Sequence, residues 1–105
     1  NGYICECASG NIFWVRNNVL FTPENGLAFI SGSIRSKIFA LYNSQIVTGK
    51  FKVSSLSDAD EVFMTNVNAL VMPFTEAPSL RKKYKTDKAH KILELIKADI
   101  KNELG

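Results

Sequence analysis

The sequence predicts one small domain of the α/β (α+β) class, in which a sheet of short strands is flanked by helices. Apolar and polar residues alternate with the period of a strand over several short segments that Gly, Pro and Asn separate. Helical spacing appears twice, over residues 33–45 and 86–104. With 105 residues, 46% of them hydrophobic, the chain is long enough for one modest core, so we expect a single domain.

The first part of the chain is predicted to contain a strand followed by a β-hairpin. Alternating apolar residues predict strands at 3–8 and 11–16. Residues 17–18 are both Asn, which tolerates positive φ, so we expect 19–22 to return as the second arm of a hairpin. Pro23 and the residues after it then end this strand.

The middle of the chain is predicted to be mainly helical. We expect a helix over residues 33–45, because apolar residues recur there at helical spacing: Ile34, Ile38, Leu41 and Tyr42. Gly49 is expected to end the following turn, and 51–53 to form a short strand. Ser55 or Ser57 would then cap a helix of one or two turns.

Two more strands and a long helix are predicted for the last part of the chain. The strands cover residues 61–66 and 70–74, and an irregular basic connection follows at 75–85. Thr86 is expected to cap an amphipathic helix. The apolar face of this helix should pack on the sheet, and it consists of Ala89, Ile92, Leu93, Ile96 and Ile100.

Charge and composition exclude several kinds of partner. The net charge is only +3, and the basic excess is concentrated in Arg81, Lys82, Lys83, Lys85, Lys88 and Lys91. A solvated connection and helix face explain this run, so we expect no nucleic-acid partner and rank salt-dependent binding through 81–91 last. No apolar run approaches the roughly 20 residues that cross a bilayer, so we expect no membrane partner and a cytoplasmic protein.

The cysteines and the histidine do not predict a metal site. Cys5 and Cys7 lie two residues apart, where a disulfide would need distorted geometry, so we expect two free thiols. The sole histidine, His90, lies on a predicted helix far along the chain. The donor set is therefore too small for a metal centre, and we predict none.

Three features together predict a site for a cofactor that carries a ring and a phosphate. Glu6 lies in a strand-like run, and a half-buried carboxylate needs a partner such as a cation, a donor or a protonated ring nitrogen. Gly32 precedes a helix, whose free amides and dipole suit a phosphate group. The loop at 65–68 could add further donors, and the combination fits pyridoxal 5'-phosphate.

Five segments carry a resemblance to a known family. They are ECASGNIFWV at 6–15, VLFTP at 19–23, ISGSIR at 30–35, ADEVFMTN at 59–66 and MPF at 72–74. In this order and spacing they resemble the C-terminal part of class IV aminotransferases and aminodeoxychorismate lyases, the fold-type IV pyridoxal phosphate enzymes. The resemblance covers residues 2 to about 75.

The resemblance implies an architecture as well as a cofactor. It implies a mixed sheet or pseudo-barrel with flanking helices, which is the larger C-terminal domain of such an enzyme, truncated at its N-terminus. Residues 1–105 would be one domain fragment, with a core at 2–75, a basic connection at 76–85 and a C-terminal helix at 86–104. Family members also imply a homodimer.

The resemblance assigns a role to each matching position. Glu6 would pair with the protonated pyridine nitrogen and keep the ring an electron sink. The other cofactor contacts would come from the helix start and the loop after the fourth matched segment: Gly32, Ser33, Ile34, Asn66 and Val67. Thr65 and Asn68 would bind the carboxylate of a small amino substrate.

The chain departs from the family pattern in two respects. Many members have Thr at the position of Ile34 and Ser or Thr at that of Val67, so here backbone amides would bind the phosphate without those hydroxyls. The family's Schiff-base lysine comes from a strand upstream of the Glu6 position, and no lysine of this sequence matches it. We therefore expect no catalytic residue in this chain, an inactive fragment, and a missing N-terminal segment of the same protein as its partner.

Within the family, a lyase is the preferred prediction. Asn66 and residues 11–14 resemble 4-amino-4-deoxychorismate lyases, which form 4-aminobenzoate and pyruvate for folate synthesis. A class IV aminotransferase for branched-chain or D-amino acids is the alternative. A non-catalytic binding module that keeps the fold without the cofactor is a further alternative, which the apolar Ile34 and Val67 would permit.

Overall fold

A five-stranded mixed sheet forms the centre of the protein. The computed structural model describes residues 11–24, 32–66 and 69–104. All neighbouring strands of the sheet are antiparallel except β2 and β3, which run parallel. The predicted mixed sheet with flanking helices is confirmed. In spatial order the strands are β3 (Ile46–Gly49), β2 (Val19–Pro23), β1 (Asn11–Arg16), β4 (Glu61–Asn66) and β5 (Leu70–Phe74).

The hairpin of β1 and β2 has the predicted turn. Asn17 and Asn18 adopt φ values of 51° and 67°. Positive φ at both turn positions matches the right-handed twist of the two strands. The turn is also held from outside the hairpin, since the amide of Asn17 donates to Oδ2 of Asp60 at 3.0 Å.

Two helices cover one face of the sheet. They are α1 (Gly32–Leu41) and α2 (Asp87–Leu104), and α2 begins directly after Thr86 as predicted. The predicted apolar face of α2 is confirmed, because three of its five residues are fully buried and the other two pack against them. The core on this face consists of Phe13, Val15, Leu20, Ile34, Ile38, Phe63, Val71, Ala89, Ile92 and Ile96.

The opposite face of the sheet has its own aromatic core. Trp14 is 2% exposed and stacks on Phe21 with ring centroids 5.9 Å apart. Phe51 meets both rings edge-on. The segment after β7 (Lys82–Lys83) completes this core, since the hydroxyl of Tyr84 donates to the carbonyl of Leu56 at 2.8 Å.

The predicted helix over 33–45 is wrong at its end, because α1 stops at Leu41. The carbonyl of Gln45 accepts a hydrogen bond from the amide of Leu20, and residues 46–49 then pair with β2. Gly49 consequently ends a strand that the sequence did not predict. Pairing with a distant strand has overridden the local helical spacing.

The strand predicted at 51–53 is also wrong. Lys52 makes one isolated bridge, and a 3₁₀ helix covers Val53–Asp58. Its N-cap position is Lys52, without a side-chain capping bond, so neither Ser55 nor Ser57 caps it. Ser57 Oγ instead donates to the carbonyl of Ser54 at 2.6 Å, which binds the turn locally.

The basic connection is more regular than predicted. It contains β6 (Glu76–Ala77) paired with β7, joined through a 3₁₀ turn at Pro78–Leu80 and Arg81 at φ 52°. Pro73 does not end β5 but lies inside it, which the position of β5 at the edge of the sheet permits. The strand predicted at 3–8 lies outside the described residues.

Candidate functional site

The candidate site centres on the C-terminal end of β4. Alternate residues of this strand face α1 and α2: Phe63 lies in the helix-side core, and Thr65 follows on the same face. Thr65 is 1% exposed and lies opposite Asn11 in β1 and Val71 in β5. A polar side chain is thus held at a fully enclosed position where two strands flank it.

The hydroxyl of Thr65 has no hydrogen-bond partner among the described residues. The contrast is Thr22, which is also 1% exposed but whose Oγ1 donates to the carbonyl of Ile12 at 2.8 Å. Nearly all buried hydroxyls in proteins have a partner, since an unpaired one costs free energy. The Thr65 hydroxyl is therefore available to a polar group that the described residues do not supply.

The N-terminus of α1 lies on the same side of the sheet as Thr65. The helix begins at Gly32, so the amides of its first turn have no intrahelical acceptor. Ile34 is 5% exposed and packs in one core with Phe63 and Val71, the latter being the cross-strand partner of Thr65. The Ile34 side chain packs in the core, so the backbone amide is the part of this residue that can contact a ligand.

Asn66 is the last residue of β4. Its Oδ1 accepts a hydrogen bond of 2.7 Å from the amide of Ala69, three residues later. Leu70 then enters β5 with φ 63°, a left-handed conformation that is rare for Leu. The Asn66 side chain thus binds the backbone just before β5, and the predicted contact of Asn66 with the cofactor stays a prediction.

Several predicted site residues cannot be compared with the structure. Glu6, Val67 and Asn68 lie outside the described residues, and for Ser33 only the backbone, in the first turn of α1, is described. The described part of the site therefore brings the start of α1 and the end of β4 to one side of the sheet. The ring-nitrogen contact predicted for Glu6 stays a prediction.

Glu61 has a role that the sequence did not predict. Glu61 is 3% exposed, so its carboxylate is enclosed by the protein. Its two carboxylate oxygens accept hydrogen bonds from the amides of Lys88 and Ala89, at 2.8 and 2.9 Å. Glu61 thus binds the N-terminus of α2, and its alternation with Phe63 was the signal that it faces the helices.

Lys37 forms another contact that the sequence did not predict, and this one joins the two helices. Its ammonium donates to Oδ2 of Asp99 at 2.6 Å and also to Oε1 of Glu103, and its side chain is 16% exposed. Hydrogen bonds to Asp99 and then to Glu103 raise the pKa of Lys37 above its usual value. Nothing local in the sequence signals this contact, because the partners lie 62 and 66 residues away.

The described residues offer little support for other kinds of site. No three His, Cys, Asp or Glu side chains within 11–24, 32–66 and 69–104 are grouped as metal ligands would be. His90 is exposed, with Nδ1 2.8 Å from the carbonyl of Thr86. Over the same part of the chain, no helix is long and apolar enough to cross a membrane.

Comparison with known proteins gives one consistent family. The family model described as amino-transferase class IV matches residues 1–77. The aminodeoxychorismate lyase of Bacillus subtilis (strain 168) is 28% identical over 108 residues, which cover 97% of this chain and 36% of that protein.

Two solved structures resemble this chain in both fold and sequence. The branched-chain amino acid aminotransferase from Escherichia coli superposes with a TM-score of 0.74 at 30% identity, covering 90% of this chain and 34% of that one. An aminotransferase from Brucella abortus, bound to the cofactor PLP, superposes with a TM-score of 0.74 at 25% identity, covering 88% of this chain and 35% of that one. The chain thus spans about a third of the length of these three proteins.

Proposed function

Because the chain belongs to the amino-transferase class IV family, we propose that the full-length protein is an enzyme that uses pyridoxal 5'-phosphate. The observation that carries the proposal is the buried hydroxyl of Thr65, which has no partner in the described part of the chain and lies on the same side of the sheet as the N-terminus of α1. A ligand with a phosphate and further polar groups would satisfy both the hydroxyl and the helix amides. The residues therefore fit this cofactor and its substrate.

Each residue of the chain would hold one part of the ligand. The backbone amides of Ser33 and Ile34, at the positive end of the α1 dipole, would donate to the phosphate oxygens. Asn66 and Val67, at the end of β4 and directly after it, would complete the contacts to the cofactor. Glu6 would pair with the ring nitrogen and keep it protonated.

The chemistry itself needs groups beyond these contacts. When bound, pyridoxal phosphate supplies an electron sink that stabilises negative charge on the substrate carbon. Thr65 and Asn68 would orient the substrate carboxylate so that the bond to be broken is correctly aligned. The lysine that would move the proton is not among the residues of this chain that match the family, and we propose that another segment of the full-length protein supplies it.

The reaction we propose is that of a 4-amino-4-deoxychorismate lyase, which releases pyruvate and 4-aminobenzoate. The similarity to the Bacillus subtilis lyase extends over 97% of the chain and thus includes α2. A class IV aminotransferase is the second candidate, favoured by the 30% identity to the Escherichia coli enzyme. A homodimer and a cytoplasmic location belong to the proposal as well.

Two measurements on the full-length protein test the proposal. The first adds pyridoxal 5'-phosphate and follows the visible absorption band of cofactor bound to a lysine, which borohydride should fix covalently. Absence of any such band, together with no affinity for the cofactor, would favour the non-catalytic module. Binding to nucleic acid that falls steeply with salt would instead favour a role for residues 81–91.

The second measurement separates a lyase from an aminotransferase. Aminodeoxychorismate is supplied as the single substrate, and pyruvate is detected by its reduction with lactate dehydrogenase and NADH. A lyase forms pyruvate without an added 2-oxo acid. A protein that is inactive in this assay, but transfers an amino group from an amino acid to a 2-oxo acid, would support the second candidate.

A further inference from the structure

We infer that α2 holds the phosphate-binding end of α1 in position. Lys37 and Glu61 are the positioning residues, because they bind α2 to α1 and to β4. This inference rests on the proposed function, because it concerns the same cofactor site. It concerns a helix outside the matching family model, which ends at residue 77, whereas α2 covers Asp87–Leu104.

One end of α2 is bound to β4. The carboxylate of Glu61 accepts hydrogen bonds from the amides of Lys88 and Ala89, in the first turn of the helix. Glu61 begins the strand that ends with Thr65 and Asn66. The start of α2 therefore has a fixed position relative to the strand that carries one half of the candidate site.

The other end of α2 is bound to α1. Lys37 lies in the middle of α1 and contacts Asp99 and Glu103, which belong to the last turns of α2. An 18-residue helix is about 27 Å long, so the two anchors lie at opposite ends of a rigid element. Between them, Ile38 of α1 packs in the core with Ile92 and Ile96 of α2.

The two anchors connect the two halves of the site. Lys37 is five residues after Gly32, or about 8 Å along the helix, and its ammonium binds Asp99 and Glu103 in the last turns of α2. Its effect on the ligand must therefore pass through the position of α1 as a body. If the contact with Asp99 and Glu103 is lost, α1 can shift on the sheet. The amides of its first turn then no longer point at the phosphate.

This mechanism predicts an effect that depends on the phosphate. The ring-nitrogen contact proposed for Glu6 comes from outside α1, so a displaced α1 should weaken phosphate binding and leave ring binding unchanged. General destabilisation would weaken both. The dissociation constants of pyridoxal 5'-phosphate and of pyridoxal, which lacks the phosphate, separate the two cases.

The test compares Lys37→Met with Lys37→Arg and Lys97→Met in the full-length protein. Lys97 is the matched control, because its ion pair among the described residues runs along its own helix, to Glu94 at 3.6 Å. We expect Lys37→Met to raise the dissociation constant of pyridoxal 5'-phosphate by about 3- to 10-fold while that of pyridoxal changes less than about 2-fold. Lys37→Arg keeps the ion pairs and should restore the wild-type ratio, and Lys97→Met should not alter it.

A second variant keeps the test decisive if Lys37→Met does not fold. The double substitution of Asp99→Asn with Glu103→Gln removes the same contact from the side of α2, and it should give the same change in ratio. Equal weakening of both ligands, or no weakening of either, in a protein whose wild type binds pyridoxal 5'-phosphate would overturn the positioning role alone. A wild-type protein without affinity for pyridoxal 5'-phosphate would overturn the proposed function and this inference with it.

Discussion

The carboxylate of Glu61, at the start of β4, accepts a hydrogen bond of 2.9 Å from the amide of Ala89 in the first turn of α2. A second bond from the amide of Lys88 makes the contact bidentate. Helix N-termini carry unpaired amides and a partial positive charge, so a buried carboxylate there is both satisfied and favoured electrostatically. The cap of α2 is thus supplied by a strand residue 27 positions earlier in the chain.

Replacing Glu61 by Ala should lower the free energy of unfolding by about 2 to 3 kcal/mol, because two helix amides lose a charged acceptor in a buried place. Glu61→Gln keeps one oxygen acceptor and should cost less. Urea denaturation measures both. Glu76→Ala, at an exposed strand position, is the control and should change stability by less than about 0.5 kcal/mol. Equal stability of Glu61→Ala and Glu76→Ala would contradict a capping role.

The turn between β1 and β2 gives a backbone prediction. Asn17 has φ 51°, and the hydrogen bond that its backbone amide donates to Asp60 does not depend on its side chain. Asn17→Gly should therefore be neutral or stabilising, whereas Asn17→Val should cost about 1 to 2 kcal/mol, because a β-branched residue resists positive φ. Thermal unfolding of the two variants checks the order. A Val variant as stable as the Gly variant would mean that the turn changes its conformation without cost.

Most of the fold is encoded in local signals, and the exceptions depend on distant partners. Strands β1, β2 and β4 are short runs rich in β-branched and aromatic residues, the Asn pair marks the turn between β1 and β2, and α2 has a long apolar stripe. By contrast, β3 has four residues, and it becomes a strand because Ile46 and its successors pair with Leu20 and the rest of β2. No short stretch of sequence around Ile46 contains that information. The local spacing therefore predicts that the helix continues to residue 45, just before this strand.

The site could be predicted from sequence only in part. The segments around Gly32 and Thr65 were found because they match a family, and their position on one side of the sheet follows from the alternation in β4. The Thr65 hydroxyl is buried without a partner among the described residues, because the neighbouring strands place no donor or acceptor beside it. No local sequence pattern encodes that property. No local pattern predicts the contact of Lys37 with Asp99 either, since it joins the middle of α1 to the last turns of α2.

Stability at high pH should depend on Tyr84. Burial raises the pKa of Tyr84 above the ordinary value of 10.0, and its hydroxyl donates to the carbonyl of Leu56. The folded state thus favours the neutral phenol. Its contribution to stability is complete below pH 10 and is lost as the pH rises from there through the raised pKa, because the unfolded chain ionises first.

Tyr84→Phe should therefore flatten the dependence of stability on pH above 10, even though it loses about 1 kcal/mol at pH 8 with the hydrogen bond to Leu56. Urea denaturation at pH 8 and near pH 11 gives the two slopes. Absorbance at 295 nm shows whether one of the two late-titrating phenols among the described residues has been removed, because burial also raises the pKa of Tyr42, which remains in the variant. Identical slopes for wild type and variant would show that Tyr84 ionises equally easily in both states.

Thr22 and Thr65 form a matched pair, since both are 1% exposed but only the Thr22 hydroxyl has a partner among the described residues. Without ligands, Thr22→Val should lower the free energy of unfolding by about 1 to 2 kcal/mol, because the carbonyl of Ile12 loses its donor. Thr65→Val should leave stability unchanged or raise it by about 1 kcal/mol, since it removes a buried hydroxyl that has no bond to lose.

The order should reverse when substrate binding is measured. If the Thr65 hydroxyl is kept for the substrate, Thr65→Val in the full-length enzyme should raise KM about 5- to 10-fold, the loss of one hydrogen bond. Thr22→Val should leave KM unchanged, because its hydroxyl already binds the protein. A Thr65→Val variant that is destabilised as much as Thr22→Val and keeps the wild-type KM would show that the hydroxyl serves the fold, and the substrate role of Thr65 would have to be given up.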